Sequence, residues 1–298
     1  MIVWLGRKVG REGGENMKVV LFCGGLGMRI REAGESIPKP MVHVGDRPIL
    51  WHVMKYYAHF GHKDFILCLG YRAETIKNYF VNYAEFLSND FVLSNGGKQL
   101  KVFNSDIHDW TITFVDTGAK ANIGQRLKAA ERYLGEDEVF LANYSDNLTD
   151  FHLPDLIERF HRQNKTAAFL CVRPSLSCHY VSMDNNGLVQ EIKAIGQSDI
   201  RINGGYFALK RSIFDYIKDG EELVQEPFRR LIERQDLMAF PYDGFWKSMD
   251  TFKEKQELDD LDSKGIAPWQ LWKREANAVP GNGDHSTERD RKNLTPLS

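Results

Sequence analysis

Cysteine is scarce in this chain, and what there is excludes a good deal. Four of the 298 residues are cysteine, at Cys23, Cys68, Cys171 and Cys178, with no C-x-x-C spacing to suggest a zinc site or redox motif. The first three lie in apolar, strand-like runs, so buried reduced thiols are expected rather than a disulfide framework. Long apolar runs are missing too. No stretch approaches the roughly 20 residues that cross a bilayer, and the basic, glycine-rich Met1 to Asn16 lacks the apolar core of a secretory signal. A cytoplasmic protein with no membrane partner is therefore expected. A dominant charge is also absent: 39 Lys and Arg nearly balance 41 Asp and Glu, a formal net charge of -2. Nucleic acid is accordingly not expected as a partner.

Catalytic furniture of the commoner kinds is absent as well. No Lys-Ser or Lys-Thr follows Gly27, which excludes a P-loop. The glycine run continues through Ile37-Pro38-Lys39-Pro40 instead of entering a helix, which excludes the dinucleotide fingerprint. His43, His52, His59 and His62 are scattered, and no Ser/His/Asp arrangement stands out.

What is present begins with Val19-Val20-Leu21-Phe22-Cys23-Gly24-Gly25-Leu26-Gly27-Met28-Arg29. An apolar run of strand type opens into a glycine-rich turn, where backbone N–H groups can approach a phosphate that a Cβ would block. Arg29 and Lys39 are placed to hold the remaining phosphate charge, one as a fork and one as a point charge. Pro38 and Pro40 stiffen the loop and so reduce the entropy lost in positioning the Lys39 amine. The plainer alternatives are a structural glycine turn and a solvated lysine.

The rest of the chain alternates β-rich and helical patterns. Strands are expected at Lys18 to Cys23, Asp64 to Leu69, Thr111 to Val115, Val139 to Tyr144 and Ala167 to Val172. Helices are expected at Pro48 to Phe60, Ala73 to Tyr83, Ile123 to Tyr133 and Pro154 to Gln163. In the first helix Ile49, Leu50, Val53, Met54 and Tyr57 share one face at helical spacing. This alternation predicts an α/β fold: a mostly parallel, Rossmann-like central sheet with helices on both faces. Past Tyr180 a smaller β-rich subregion is expected, with a hairpin around Asn186-Gly187. A strand at Gly205 to Leu209, helices at Arg211 to Ile217 and Glu226 to Arg234, and a strand near Met238 to Pro241 follow. Residues 1–16 read as a disordered extension, 17–272 as the folded domain (halves about 17–150 and 151–272), and 273–298 as a disordered tail.

The turn Gly24-Gly25-Leu26-Gly27-Met28-Arg29 with Pro38-Lys39-Pro40-Met41 resembles the signature of sugar-1-phosphate nucleotidyltransferases. The likeness extends through Pro48-Ile49-Leu50-Trp51-His52, Val115-Asp116-Thr117-Gly118, Ile202-Asn203-Gly204-Gly205-Tyr206-Phe207, Gln225-Glu226-Pro227, Met249-Asp250-Thr251 and Ala267-Pro268-Trp269. The last two stretches are similar to the cytidylyl branch. The resemblance implies transfer of a cytidylyl group from CTP to a hexose 1-phosphate, giving a CDP-sugar and pyrophosphate, in a homo-oligomer that uses Mg2+.

By that resemblance Asp146 and Asp250 match magnesium-binding aspartates. The plainer alternative for each is a helix cap or turn. Cys23, Gly24, Gly25, Leu26, Gly27, Met28, Arg29 and Lys39 would bind the nucleotide, with Arg29 and Lys39 acting on the phosphates at the scissile bond. Thr117 and Arg126 match positions that contact the base, against a turn cap and a surface helix residue as alternatives. Gly204, Gly205, Tyr206, Glu226 and Trp246 would surround the sugar, although Trp246 reads equally well as core. Three departures stand out. Gln190-Glu191-Ile192-Lys193-Ala194 lacks the usual Glu-Lys-Pro, so either Lys193 holds the sugar phosphate or Ala194 replaces the lysine. Tyr144-Ser145-Asp146-Asn147 stands where the family flanks the acid with glycines. Met28 replaces a usual Thr. Use of UTP or dTTP, or a catalytically silent binding protein, remain the rival readings.

Overall fold

A computed structural model describes residues 16–25, 37–175 and 178–273. Residues 1–15 and most of the tail lie outside it, as do Leu26, Gly27, Met28 and Arg29 of the nucleotide turn.

The chain opens with β1 (Val19–Cys23). The small hairpin β2 (His43–Val44) and β3 (Arg47–Pro48) leads into α1 (Ile49–His59), then β4 (Asp64–Leu69) and α2 (Ala73–Val81) follow. A projecting hairpin, β5 (Phe91–Ser94) and β6 (Gln99–Val102), precedes β7 (Thr111–Asp116), α3 (Ile123–Ala130) and β8 (Val139–Asn143). The second half contributes β9 (Asn147–Thr149), α4 (Leu153–Gln163), β10 (Ala167–Val172), and the hairpin β11 (His179–Met183) and β12 (Val189–Ala194). It closes with β13 (Ile202–Lys210), α5 (Glu226–Glu233), β14 (Leu237–Tyr242), β15 (Trp246–Ser248) and α6 (Phe252–Ser263).

Seven strands form one sheet in the order β14-β10-β13-β8-β1-β4-β7. Neighbours are parallel except around β13, which runs antiparallel to both β8 and β10. The expected mostly parallel sheet is present, and its two halves meet where β13 pairs with β8. Alternation along β1 decides which face each residue serves. Val19, Leu21 and Cys23 join a core with α1, α4 and α6, while Val20 and Phe22 join a core with α3 and α5. Both faces are therefore buried, as parallel strands require.

Local signals explain most boundaries. Asn122 and Gln125 form a reciprocal capping box that starts α3, and Thr251 with Glu254 does the same for α6. The sequence reading needs correction in several places. The helix expected at Arg211 to Ile217 is a 3-10 segment, Arg211–Tyr216. Asp250 does not cap α6, because Thr251 fills that role; nor does Asp146 cap α4, which His152 precedes. The short pair β9 and β15, which sequence patterning did not suggest, turns out to be decisive for the site.

Candidate active site

The carboxyl ends of β1, β4, β7 and β8 share one edge of the sheet, the usual place for a ligand in such folds. Gly24 and Gly25 leave β1 there, and Gly70, Thr117 and Asp146 leave its neighbours.

Asp146 lies three residues past the end of β8. From there β9 pairs antiparallel with β15, Asn147 facing Ser248, and the Met249 N–H donates to the Asp146 carbonyl at 2.9 Å. This register carries Asp250 alongside Asp146 although more than a hundred residues separate them. Glu254 then fixes the approach: its Oε2 accepts from the Asp250 N–H at 2.7 Å and from the Thr251 N–H at 2.8 Å. The pattern Thr251-Phe252-Lys253-Glu254 is a capping box legible in sequence, and it would have revealed this positioning.

Lys39 sits between the two acids. Its Nζ donates to Asp146 Oδ2 at 2.7 Å and to Asp250 Oδ1 at 2.6 Å. The lysine is presented by a 3-10 turn, Lys39–Met41, in which the Met41 N–H donates to the Pro38 carbonyl at 2.8 Å, while Pro40 and Met41 anchor it in the core. Burial disfavours the ammonium, but the two carboxylates outweigh that and hold the Lys39 pKa above its ordinary value. The Asp146 carboxyl is pushed up by burial, with Lys39 pulling it down and Asp250 pushing it up again.

The residues suit a divalent ion that keeps part of its water shell. Two carboxylate oxygens lie no more than about 5.3 Å apart, since both bond one nitrogen. Beside Asp146, Asn147 donates from its Nδ2 to Asp146 Oδ1 at 3.2 Å, while its Oδ1 is buried with no hydrogen-bond partner among the described residues. No group of three or more potential metal ligands gathers among the described residues. Mg2+ takes one or two carboxylates together with phosphate and water, so the Asp146–Asp250 pair is of a kind it can use.

Arg126 and Thr117 come together beneath the glycine turn. The Arg126 side chain, far from being a surface group, is 3% exposed. Its Nη1 donates to Thr117 Oγ1 at 2.6 Å and to the Leu69 carbonyl at 3.2 Å, and its Nη2 donates to the Gly24 carbonyl at 2.9 Å. The Thr117 hydroxyl in turn donates to the Leu69 carbonyl at 2.6 Å. A trans peptide points its N–H opposite to its C=O. Holding the Gly24 carbonyl inward therefore turns the Gly25 N–H away from Arg126. A Cβ on Gly24 would overlap the guanidinium, so any larger residue at this position requires Arg126 to move.

The remaining expected residues fall in different places. Cys23 is fully buried, its Sγ 3.5 Å from Ser145 Oγ, and burial pushes its thiol up to about 12, so it is neither ionised nor at the ligand surface. The Tyr206 ring is fully buried and its hydroxyl donates to the Asn147 carbonyl at 3.0 Å, so its side chain belongs to the core. Gly204 and Gly205 begin the inner stretch of β13. Trp246 Nε1 donates to the Gly204 carbonyl at 2.8 Å, and Gly205 has φ +76° with no room for a Cβ against Tyr144 and Asn147. Glu226 opens α5, whose Phe228 stacks on Phe169. Lys193 stands on β12 with Glu191 on the same face, its Nζ 3.0 Å from Glu191 Oε1. No hydrogen bond or ion pair joins it to Lys39, Asp146 or Asp250 among the described residues. A cavity of about 1070 Å³ lies elsewhere, between the start of α1 and the β5–β6 hairpin, lined among others by Arg47, Trp51, Lys55 and Asp106.

The family model described as Nucleotidyl transferase matches residues 18–255, and the chain belongs to that family. A glucose-1-phosphate cytidylyltransferase from Salmonella typhimurium is 38% identical over 259 residues, 86% of this chain and 100% of that protein. A protein from Bacillus subtilis named a probable glucose-1-phosphate cytidylyltransferase is 35% identical over 258 residues, with 86% and 100% coverage. Among solved structures, a UTP-bound UGPase from Acinetobacter baumannii superposes with TM-score 0.60 at 19% identity, covering 88% of this chain and 99% of that one. At that identity the likeness speaks for the fold alone.

Proposed function

We propose that this protein transfers the cytidylyl group of CTP to glucose 1-phosphate or a closely related hexose 1-phosphate, releasing pyrophosphate and a CDP-sugar. The observation that carries the reading is the meeting of Lys39, Asp146 and Asp250 at the strand ends beside the Gly24-Gly25 turn. The identity to curated cytidylyltransferases across 86% of the chain supports the choice of nucleotide and sugar.

In this reading the sugar-phosphate oxygen, already ionised, attacks the α-phosphorus in line. A new P–O bond forms, the α–β bridging bond breaks, and the electron pair leaves on pyrophosphate, so no side chain is needed as base. Joining two anions makes charge neutralisation the main task. Asp146 and Asp250 would hold a Mg2+ ion, which supplies charge stabilisation to the phosphate oxygens. Lys39 and Arg29 would neutralise the departing pyrophosphate, and the Gly25 N–H, turned outward by Arg126, would donate to a phosphate. Thr117 and Arg126 would set the base end, and Gly204, Gly205, Trp246 and Glu226 the sugar end. Lys193 reaches the sugar phosphate only by exchanging its bond to Glu191 for one to the ligand.

We also infer a homo-oligomer. Phe91 pairs with Val102 and Leu93 with Leu100 on one face of the β5–β6 hairpin, where Phe91, Leu93 and Leu100 are each more than 40% exposed. A two-stranded hairpin with a bare apolar face needs a partner. The occupant we infer is a second copy, whose Lys98 and Lys101 can meet Asp46, Asp90 and Asp262 in the adjoining cavity, which Arg47, Lys55 and Lys273 also line. Three of the four cysteines are buried and all four are free, which supports a cytoplasmic setting.

The test is pyrophosphate release with glucose 1-phosphate and Mg2+, supplying CTP, UTP, dTTP or GTP in turn. CTP should give the highest kcat/KM, and Asp146→Asn or Asp250→Asn should lower it by about a hundredfold or more. Turnover with UTP or dTTP but not CTP would replace the cytidylyl reading, and no release with any nucleotide would overturn the enzymatic one.

A further inference from the structure

We propose that Lys39 is a stand-in for the divalent ion: in the nucleotide-free protein its ammonium occupies the seat between Asp146 and Asp250, and an entering metal must displace it. The inference rests on the reading of those two aspartates as metal ligands.

The geometry is that of an ion seat. Two carboxylate oxygens from distant parts of the chain flank one nitrogen at 2.7 and 2.6 Å. Oxygens held at most about 5.3 Å apart are too close to accommodate both an ammonium and a second cation between them. Mg2+ binds oxygen at about 2.0–2.1 Å, so two of its ligands are at most about 4.2 Å apart. Even at that upper limit, trans ligation asks the carboxylates to close by only about 1 Å once the lysine has left, and cis ligation by more.

The Lys39 side chain is 17% exposed, and the 3-10 turn fixes its backbone, so only the flexible stem can carry the ammonium elsewhere. What draws it out is an anion near enough to replace the carboxylates, and a triphosphate on the glycine turn is such an anion. Nucleotide and metal then favour each other's binding: the phosphates free the carboxylates, and the ion holds the lysine out. By linkage the coupling is reciprocal. A metal alone, offering Lys39 no new partner, binds weakly. The device keeps the two acids neutralised while the site is without ligand and assembles the full charge set only around a nucleotide.

The full-length protein without nucleotide would be titrated with Mn2+, following the free ion by electron paramagnetic resonance, as wild type, Lys39→Met and Asp146→Asn. Lys39→Met should bind Mn2+ at least about tenfold more tightly than wild type, and Asp146→Asn should bind it more weakly than either. Equal or weaker binding by a folded Lys39→Met overturns the stand-in role while leaving the aspartates as ligands. Mn2+ binding that survives Asp146→Asn unchanged overturns the metal-ligand reading itself, and the inference with it. Should Lys39→Met fail to fold, amine labelling of the wild type serves instead. Acetylation of Lys39, read by mass spectrometry, should rise on adding saturating Mn2+, whereas unchanged labelling alongside demonstrated Mn2+ binding refutes the displacement.

Discussion

Replacing Gly24 with alanine tests the base of the site without touching a ligand-binding side chain. The added Cβ would overlap Nη1 and Cζ of Arg126, a guanidinium that is 3% exposed and cannot simply swing aside. Yielding means giving up its bonds to the carbonyls of Gly24 and Leu69 and to the Thr117 hydroxyl. Hydrogen bonds to a charged group are worth about 1.5–3 kcal/mol each, and part is recovered if the guanidinium reaches water. A net loss of about 3–5 kcal/mol is therefore expected, a large fraction of the about 5–15 kcal/mol that stabilises a typical domain. Urea denaturation of Gly24→Ala, of Arg126→Ala and of the double variant would measure it. With Arg126 truncated the Cβ finds space, so Gly24→Ala should cost much less in that background, giving a coupling of about 2 kcal/mol or more. CTP affinity should fall in Gly24→Ala as well, because the Gly24–Gly25 peptide no longer presents its N–H outward. Equal costs of Gly24→Ala in both backgrounds would refute the argument that the guanidinium dictates glycine at this position.

Other perturbations have equally definite signs. His52 is buried, its Nε2 2.9 Å from the Val44 carbonyl and its Nδ1 accepting from Trp269 Nε1 at 3.3 Å, and burial pushes its pKa down to about 4. Below about pH 6.5 the unfolded chain takes up a proton that the folded chain refuses until about pH 4, so stability falls as pH drops through that window. His52→Gln should remove about 3 kcal/mol of the acid-induced loss in urea titrations between those limits, and parallel slopes for the two proteins would contradict this. Ser145 is fully buried at φ +67°, a conformation that costs a non-glycine residue about 1 kcal/mol. Ser145→Gly should raise the denaturation midpoint, the lost contact to Cys23 offsetting part of the gain; a lowered midpoint would show that the contact outweighs the strain. Leu93→Glu places a charge in the bare hairpin face and should reduce the assembly to a smaller species by light scattering. A wild type that is already monomeric would end the oligomer inference.

The parts legible in the sequence are those whose pattern is local. β1 with its glycine turn, the amphipathic α1 and the capping boxes of α3 and α6 are each set by a few neighbouring residues. Arg126 was harder to place, because a basic residue on a short amphipathic helix ordinarily faces water. It is drawn inward by three acceptors at the carboxyl ends of β1, β4 and β7, none of them adjacent in sequence. The pairing of β9 with β15 left almost no trace. Three-residue strands are too short for alternation to show, yet their register, with the Glu254 bonds beyond it, brings Asp250 beside Asp146.

The departures around Asp146 bear on whether the site has decayed. Glycines flanking an acid would let the chain bend sharply, and here Ser145 makes the same left-handed bend without being glycine. Its N–H donates to Asn143 Oδ1 at 2.7 Å, and Asn143 is itself wholly buried at the end of β8. The bend is thus held by a side-chain bond that glycine would not require, and Asn147, on the far side of the acid, donates to Asp146 Oδ1 at 3.2 Å. A chain losing its function has no reason to keep a strained, fully buried turn whose one evident result is the direction of a carboxylate. The substitutions change how Asp146 is supported and leave it aimed at Lys39, so the altered motif argues for a re-braced site, not an abandoned one.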